Sequence, residues 1–273
     1  MHMQRLDRRR ALLGAAAAGA AILPGCAAPG AREPVPSRHY VLVHGAWHGA
    51  WAWNRVGPLL RGAGHTVSTP TLSGLGERAH HAPGQCGLSV HVRDIVQHLE
   101  MEDLRQVVLV GHSYAGCVVS GVLAARTGRV AHAVYLDAFA LRRGESLAAF
   151  VPPEVRKGYE TLAAQHGLVP PPPRASWAER WGMSDPALRD WAAARITPQA
   201  AASFVETVAG DPAADGGVRW SYLKCARNPN PGFIAQARRA QQDGRFRYAE
   251  LDAHHNAMVM QPRELAEALL ALG

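Results

Sequence analysis

Ser113 stands in the stretch VVLVGHSYAG, Val107 to Gly116, where a run of β-branched and apolar residues ends in glycine and small residues follow. A serine hydroxyl is a weak nucleophile by itself. It needs a base within hydrogen-bond reach, a group that orients the base, and N–H donors where negative charge develops on the substrate oxygen. A strand, then a serine, then a helix is the setting of a sharp turn that lifts a nucleophile out of a sheet, the G-x-S-x-G elbow. Such a turn is crowded two residues before and two after the serine. Gly111 and Ala115 fill those places. Ala115 replaces the commoner glycine, which is tolerable where the backbone is not at positive φ.

Two other stretches supply the missing parts. HYVLVHGAWHGAW ends a strand in His44-Gly45-Ala46. In a fold built around such an elbow, the loop after this strand lies beside the nucleophile, so the backbone N–H groups of Ala46 and Tyr114 are the candidate oxyanion donors. ELDAHHNAM follows the last expected strand. A base carried there comes last in chain order; His255 is the candidate and His254 the alternative.

These residues must be positioned by alternating strands and helices. HYVLV, HTVSTP, QVVLV, VAHAVYLD, RWSYLKC and RFRYAEL read as about six strands. AWAWNRVGPLLRGAG reads as one helix stopped by Gly62 and Gly64, and VHVRDIVQHLEM has helical spacing in Val92, Ile95, Val96 and Leu99. A helix of small residues follows the serine, and PRELAEALLAL, opened by proline, closes the chain. The alternation predicts an α/β fold with a mostly parallel sheet covered by helices on both faces. The alternation breaks at about 140–217, where Trp177, Trp181, Trp191 and the stiff run Pro170 to Pro173 suggest a largely helical cap.

A chain of 273 residues, 48% hydrophobic, suits one sizeable core. Its formal charge of +7 comes mostly from scattered arginines, since only Lys157 and Lys224 are lysine. No face or helix concentrates that charge, which argues against nucleic acid as a partner. His48, His80, His81 and His112 lack the spacing of a metal site. His112, beside the nucleophile, reads as a packing and hydrogen-bonding residue, and Trp47 as a residue that could touch substrate. Cys86, Cys117 and Cys225 allow one disulfide at most.

The N-terminus reads differently. Arg8, Arg9 and Arg10 precede ALLGAAAAGAAILPGC, and no charge follows until Arg32. A basic start, an apolar run of about 13 residues and small residues after it form the layout of an export signal. The run is too short for a spanning helix, which needs about 20 residues. RRALL resembles a twin-arginine motif, and LPGC resembles a lipoprotein cleavage site that would leave a lipid on Cys26. Residues 1–26 are therefore expected to be an export signal and 27–37 a linker. A domain at 38–273 is expected to follow, exported, and a lipid on Cys26 would tether it to a membrane.

From about His39 to Leu272 the chain resembles an α/β-hydrolase. It is most similar to bacterial esterases related to plant hydroxynitrile lyases and methyl esterases. VLVHGAWHGAWAW, LSGLGERAH, VVLVGHSYAG, VYLDAF and ELDAHHNAM carry the likeness. The resemblance implies a six-stranded core sheet, a helical cap, a serine triad, no cofactor and a small-molecule ester substrate, apolar or aromatic to suit a tryptophan-bearing cap. It also exposes a departure. The family's acid commonly follows the strand that here reads RWSYLKC, and the chain has ARNPNPGF there, with Asn228 and no carboxylate. Asparagine can hydrogen-bond an imidazole but gives an imidazolium no countercharge. Asp137, at the end of VYLD, is the expected acid, and Asp252 a weaker candidate. Lactones or thioesters would use the same residues. Lyases of this group typically have threonine where Gly45 stands and lysine where Asn256 stands, and a non-catalytic binding protein is the remaining rival.

Overall fold

β-Branched runs form the sheet that carries the site. The structure, a computed structural model, describes residues 36–214 and 216–273. The six main strands are β1 (His39–Val43), β2 (Thr66–Ser68), β3 (Val107–His112), β4 (Val130–Leu136), β7 (Arg219–Cys225) and β8 (Phe246–Leu251). All pair in parallel, in the order β2-β1-β3-β4-β7-β8. β1 leads to β2 on one side and to β3 on the other. The sequence order therefore reverses there, and open sheets form their crevice at the carboxyl ends beside such a point.

Alternation along each strand sends side chains to two faces. Val41, Val43, Leu109 and Tyr135 pack on one face with α2 (Leu88–Met101), α3 (Ala115–Ala124) and α8 (Pro231–Gln242). Tyr40, Leu42, Val110 and Leu136 pack on the other with α1 (Gly57–Gly62) and α10 (Pro262–Leu272). Cys86, Cys117 and Cys225 are buried and unpaired.

Two local expectations change. The first helix is broken: a 3-10 turn, Ala50–Trp53, precedes α1, whose second residue is Pro58. Proline suits the first turn of a helix because it needs no N–H there, so it opens a new helix instead of continuing the old one. α8 escaped the sequence reading, although its signal is present. Asn230 caps it by accepting from the Gly232 N–H, Pro231 starts it, and Phe233, Ala237 and Ala240 bury one stripe.

The segment between β4 and β7 leaves the sheet. It holds α4 (Pro153–Ala164), α5 (Trp177–Trp181), α6 (Pro186–Ala193) and α7 (Ala202–Val205), with the short antiparallel pair β5 (Leu168–Val169) and β6 (Gln199–Ala200). The short helix α9 (Ala257–Met260) follows the loop after β8. Among the described residues no helix is long and apolar enough to cross a membrane. The expected export signal, and the linker up to residue 35, lie outside the described residues.

Candidate active site

The elbow forms because β3 runs straight into α3 with one residue between strand and helix cap. That residue, Ser113, has φ +57, a left-handed conformation costly for a residue with a side chain. Asp137, which follows β4, has φ +42, and Trp47 in the loop after β1 has φ +63. Strained backbone of this kind persists where the surroundings over-determine it. Here they do. The Ser113 N–H donates to Leu136 O (3.1 Å), the Phe139 N–H donates to Ser113 O (3.2 Å), and the Asp137 N–H donates to Leu223 O (2.7 Å). The Ser113 turn and the Asp137 turn are thus tied together by their backbones.

The crowding expected around the serine is present. A Cβ on Gly111 would lie 2.6 Å from Val119 Cγ2 and 2.7 Å from Ala115 O. Ala115 opens α3 without positive φ, so its methyl is accommodated. Gly45 is equally confined: a Cβ there would lie 2.8 Å from the His112 ring and 3.0 Å from Ser113 Cβ.

The loop after β8 delivers His255 to the elbow. His255 Nε2 lies 3.0 Å from Ser113 Oγ, and Nδ1 lies 2.7 Å from Asp137 Oδ2. The His112 Nε2–H donates to the His255 carbonyl (2.9 Å), which fixes that loop to the elbow. His254 packs instead against Gly182 of the cap, where φ is +74 and a Cβ would fall 2.2 Å from His254 Cβ. Asp252 is exposed and paired with Arg227, away from the imidazole.

Asp137 is fully buried. Burial pushes its carboxyl up. The hydrogen bond from His255, the charges of His255 and Lys224, and the Asn228 amide outweigh burial and hold it below the usual carboxylate range. Asn228 donates from Nδ2 to Asp137 Oδ2 (2.5 Å) and lies 3.2 Å from His255 Nδ1. The residue at the position where the family commonly has its acid therefore touches both members of the observed pair.

Neither the Ala46 nor the Tyr114 N–H has an acceptor among the described residues, and both residues line the cavity in front of Ser113. Neighbouring groups are occupied. The Trp47 N–H donates to Gln199 Oε1 (3.0 Å) and its indole N–H to Val169 O (3.1 Å), so the cap grips this loop. The His48 Nδ1–H donates to Ala46 O (2.6 Å), and its Nε2 faces the Asn256 amide (3.2 Å). Burial pushes His48 down to about 4 and His44 down to about 3, and it holds His112 well below the ordinary histidine value. These rings stay neutral near pH 7 and act as hydrogen-bonding struts. The Tyr114 hydroxyl is held 2.7 Å from His91 Nδ1, and His91 donates from Nε2 to Ser73 O (2.8 Å). Gln199 and His91 carried no signal in the sequence, because their importance comes from partners far along the chain.

The cavity measures about 370 Å³ and opens between sheet and cap. Trp47, Tyr159, Trp181, Phe204 and Phe233 give it an aromatic wall, with Glu179 and Arg180 also on its lining. Phe233 faces the His255 ring at 4.5 Å between centroids.

Comparison with known proteins agrees with this architecture. The alpha/beta hydrolase family matches residues 40–268. A carbendazim hydrolyzing esterase from Nocardioides sp. is 37% identical over 86% of this chain and 99% of its own length. Methyl jasmonate esterase 1 from Vitis vinifera is 33% identical over 37% of this chain, which spans 40% of that protein. In structure, an extracellular alpha/beta-hydrolase from a Paenibacillus species superposes with a TM-score of 0.75 at 24% identity, covering 86% of this chain and 99% of the other. Tomato methylketone synthase I gives 0.69 at 21% identity, covering 87% and 98%. The chain belongs to the alpha/beta hydrolase family, resembles its bacterial esterases akin to plant methylesterases, and is a carboxylic ester hydrolase.

Proposed function

We propose that the protein cleaves small apolar or aromatic carboxylic esters through an acyl-enzyme on Ser113. The observation that carries this reading is the unbroken chain Ser113 Oγ, His255 Nε2, His255 Nδ1, Asp137 Oδ2 at 3.0 and 2.7 Å, opening on an apolar cavity. Ser113 attacks the ester carbonyl while His255 takes its proton. The oxyanion is held by the N–H groups of Ala46 and Tyr114. His255 then protonates the departing alkoxide, and in the second half it activates water to free the acid. Asp137 orients His255 and stabilises its charged form.

The cavity volume falls at the lower end of the range for small-molecule sites, roughly 300–1,000 Å³. That size and the aromatic wall favour a compact substrate with a flat ring. The related esterase named for carbendazim, and the plant enzyme named for methyl jasmonate, support methyl esters of cyclic acids and methyl carbamates of cyclic amines as the first compounds to try. A lyase reading finds less support. The crowding at Gly45 leaves no space for threonine, and Asn256 is buried against His48 and Met183. The basic, apolar and small-residue run ending at Cys26 supports export and a lipid anchor. Mass spectrometry of the protein from its own host tests both: an intact Met1 refutes export, and a mature start other than Cys26 refutes the anchor.

A panel of aryl and alkyl esters, methyl carbamates, lactones and cyanohydrins, run with the wild type and Ser113→Ala, tests the reaction. Ester turnover is expected in the wild type and background rates in a folded Ser113→Ala protein. Near-wild-type turnover in that variant would refute the nucleophile.

A further inference from the structure

The acid Asp137 has a second charged neighbour. Lys224 is one of two lysines in the chain and is buried in the sheet, 5% exposed. Its Nζ lies 3.0 Å from Asp137 Oδ1. The same ammonium donates to Cys225 O (2.5 Å) and Asn228 O (3.4 Å), so each of its three hydrogens has an acceptor. Asp137 is filled in turn. Oδ2 takes the His255 N–H and the Asn228 amide, and Oδ1 takes Lys224 and, at 3.4 Å, the Cys225 N–H. Lys224 therefore bridges the acid to the loop that carries Asn228, the residue standing where the family commonly has its carboxylate.

We propose that Lys224 is a positioning residue: it holds Asp137 ionised with one oxygen turned to His255, and its positive charge lowers the proton affinity of the His255–Asp137 pair so that the base stays free at lower pH. A buried carboxylate with no fixed cation binds protons more readily, because desolvation penalises its charge. His255 Nδ1 and Asp137 Oδ2 share one hydrogen bond at 2.7 Å, so the ammonium beside Asp137 acts on both. Whether the proton sits on the imidazole or on the carboxylate, a nearby ammonium makes its arrival less favourable. The nucleophile is activated only while that proton is absent.

The other groups facing this cluster do not supply the charge. Tyr222 and Cys225 on β7 are pushed well up by burial, and Tyr248 on β8 is pushed up by burial and by the hydrogen bond of its hydroxyl to Glu250. Glu250, opposite Lys224 in the β7–β8 register, is exposed. Arg227 is exposed and paired with Asp252. On the imidazole side, burial keeps His112 and His48 neutral.

The test is the pH profile of kcat/KM on an ester the wild type turns over, for the wild type, Lys224→Met and Lys224→Arg. Methionine keeps the stem and removes the charge. The acid limb of Lys224→Met is expected to move up by about one unit or more, the scale of a close charge effect. Lys224→Arg should bring it back toward the wild type. An acid limb of folded Lys224→Met that coincides with the wild type overturns the proposal, as does an equal displacement in Lys224→Arg. If Lys224→Met does not fold, Lys224→Met/Asp137→Asn decides, since both buried charges are then gone. A folded double variant supports the pairing, and one as unfolded as the single variant overturns it. The inference rests on the serine-triad reading, and Ser113→Ala separates the two. Retained turnover in Ser113→Ala defeats that reading, whereas an unmoved acid limb alongside an inert Ser113→Ala defeats only the role of Lys224.

Discussion

At the scale of single residues, two adjacent histidines face different partners. His255 turns toward Ser113 and Asp137, while His254 turns to Gly182 of the cap. His255→Ala is therefore expected to lose most ester turnover and His254→Ala much less. Steady-state kinetics on both variants checks this, and the opposite ranking would exchange their roles. A second pair is Asp137 and Asn228. On the proposed serine-triad mechanism the histidine becomes positive during reaction, and only the carboxylate can answer that charge. Asp137→Asn should cost on the order of 10²–10⁴-fold in kcat, by analogy with other triad acids. Asn228→Ala removes a donor to Asp137 but no charge, and should cost less, on the order of 10–10²-fold, the worth of one hydrogen bond to a charged group. Equal losses in the two variants would mean that Asn228 does more than steady its neighbour.

At the scale of elements, the site depends on how closely β3, its elbow and α3 are pressed together. Gly111 has no space for a methyl, with Val119 and the Ala115 carbonyl both inside 3 Å of an added Cβ. One of those contacts is backbone, which cannot swing aside. Gly111→Ala is expected to destabilise the fold by about 1–3 kcal/mol, as overpacking does. That corresponds to a melting temperature several degrees lower, at about 2–4 °C per kcal/mol for a domain of this size. Thermal unfolding followed by circular dichroism reads this directly, and an unchanged midpoint would mean that the elbow has slack. The same elements show how far local pattern reaches. β1, β3, β4, β7 and β8 were legible because β-branched and apolar runs bounded by turns have few other solutions. The break before α1 and the start of α8 were written in Pro58, Asn230 and Pro231, signals that apolar periodicity alone passes over.

At the scale of the whole molecule, burial of ionisable groups ties stability to pH. His44 and His48 are pushed down to about 3 and about 4 by burial, against roughly 6.5 in an unfolded chain. The unfolded state then binds protons that the folded state refuses. Their contribution is complete above about pH 6.5 and is lost as pH falls, each site withdrawing up to about 1.4 kcal/mol per pH unit until its folded value is reached. Asp137 acts lower down. Its folded value lies below the ordinary carboxylate value of about 3.9, so its contribution is present above that value and lost as pH falls through the folded one. The melting temperature should therefore decline from about pH 6.5 downward, with the steepest loss toward pH 4. A midpoint flat between pH 7 and 4 would contradict the burial of these rings. Residue types and local spacing were enough to mark Ser113, the His44-Gly45-Ala46 turn, the His254-His255 pair and the parallel sheet, because strand, elbow and loop chemistry are short-range properties. The family resemblance, set against the lack of a carboxylate beside Asn228, pointed to Asp137 as the acid, with Asp252 a weaker candidate. Only the tertiary structure turns His255, and not His254, toward Ser113, sets Asn228 against both Asp137 and His255, and brings Lys224 beside Asp137. Those relations depend on which strand ends meet across the sheet and which way each buried side chain turns. Such distances join residues 27 to 142 positions apart, and no local pattern contains them.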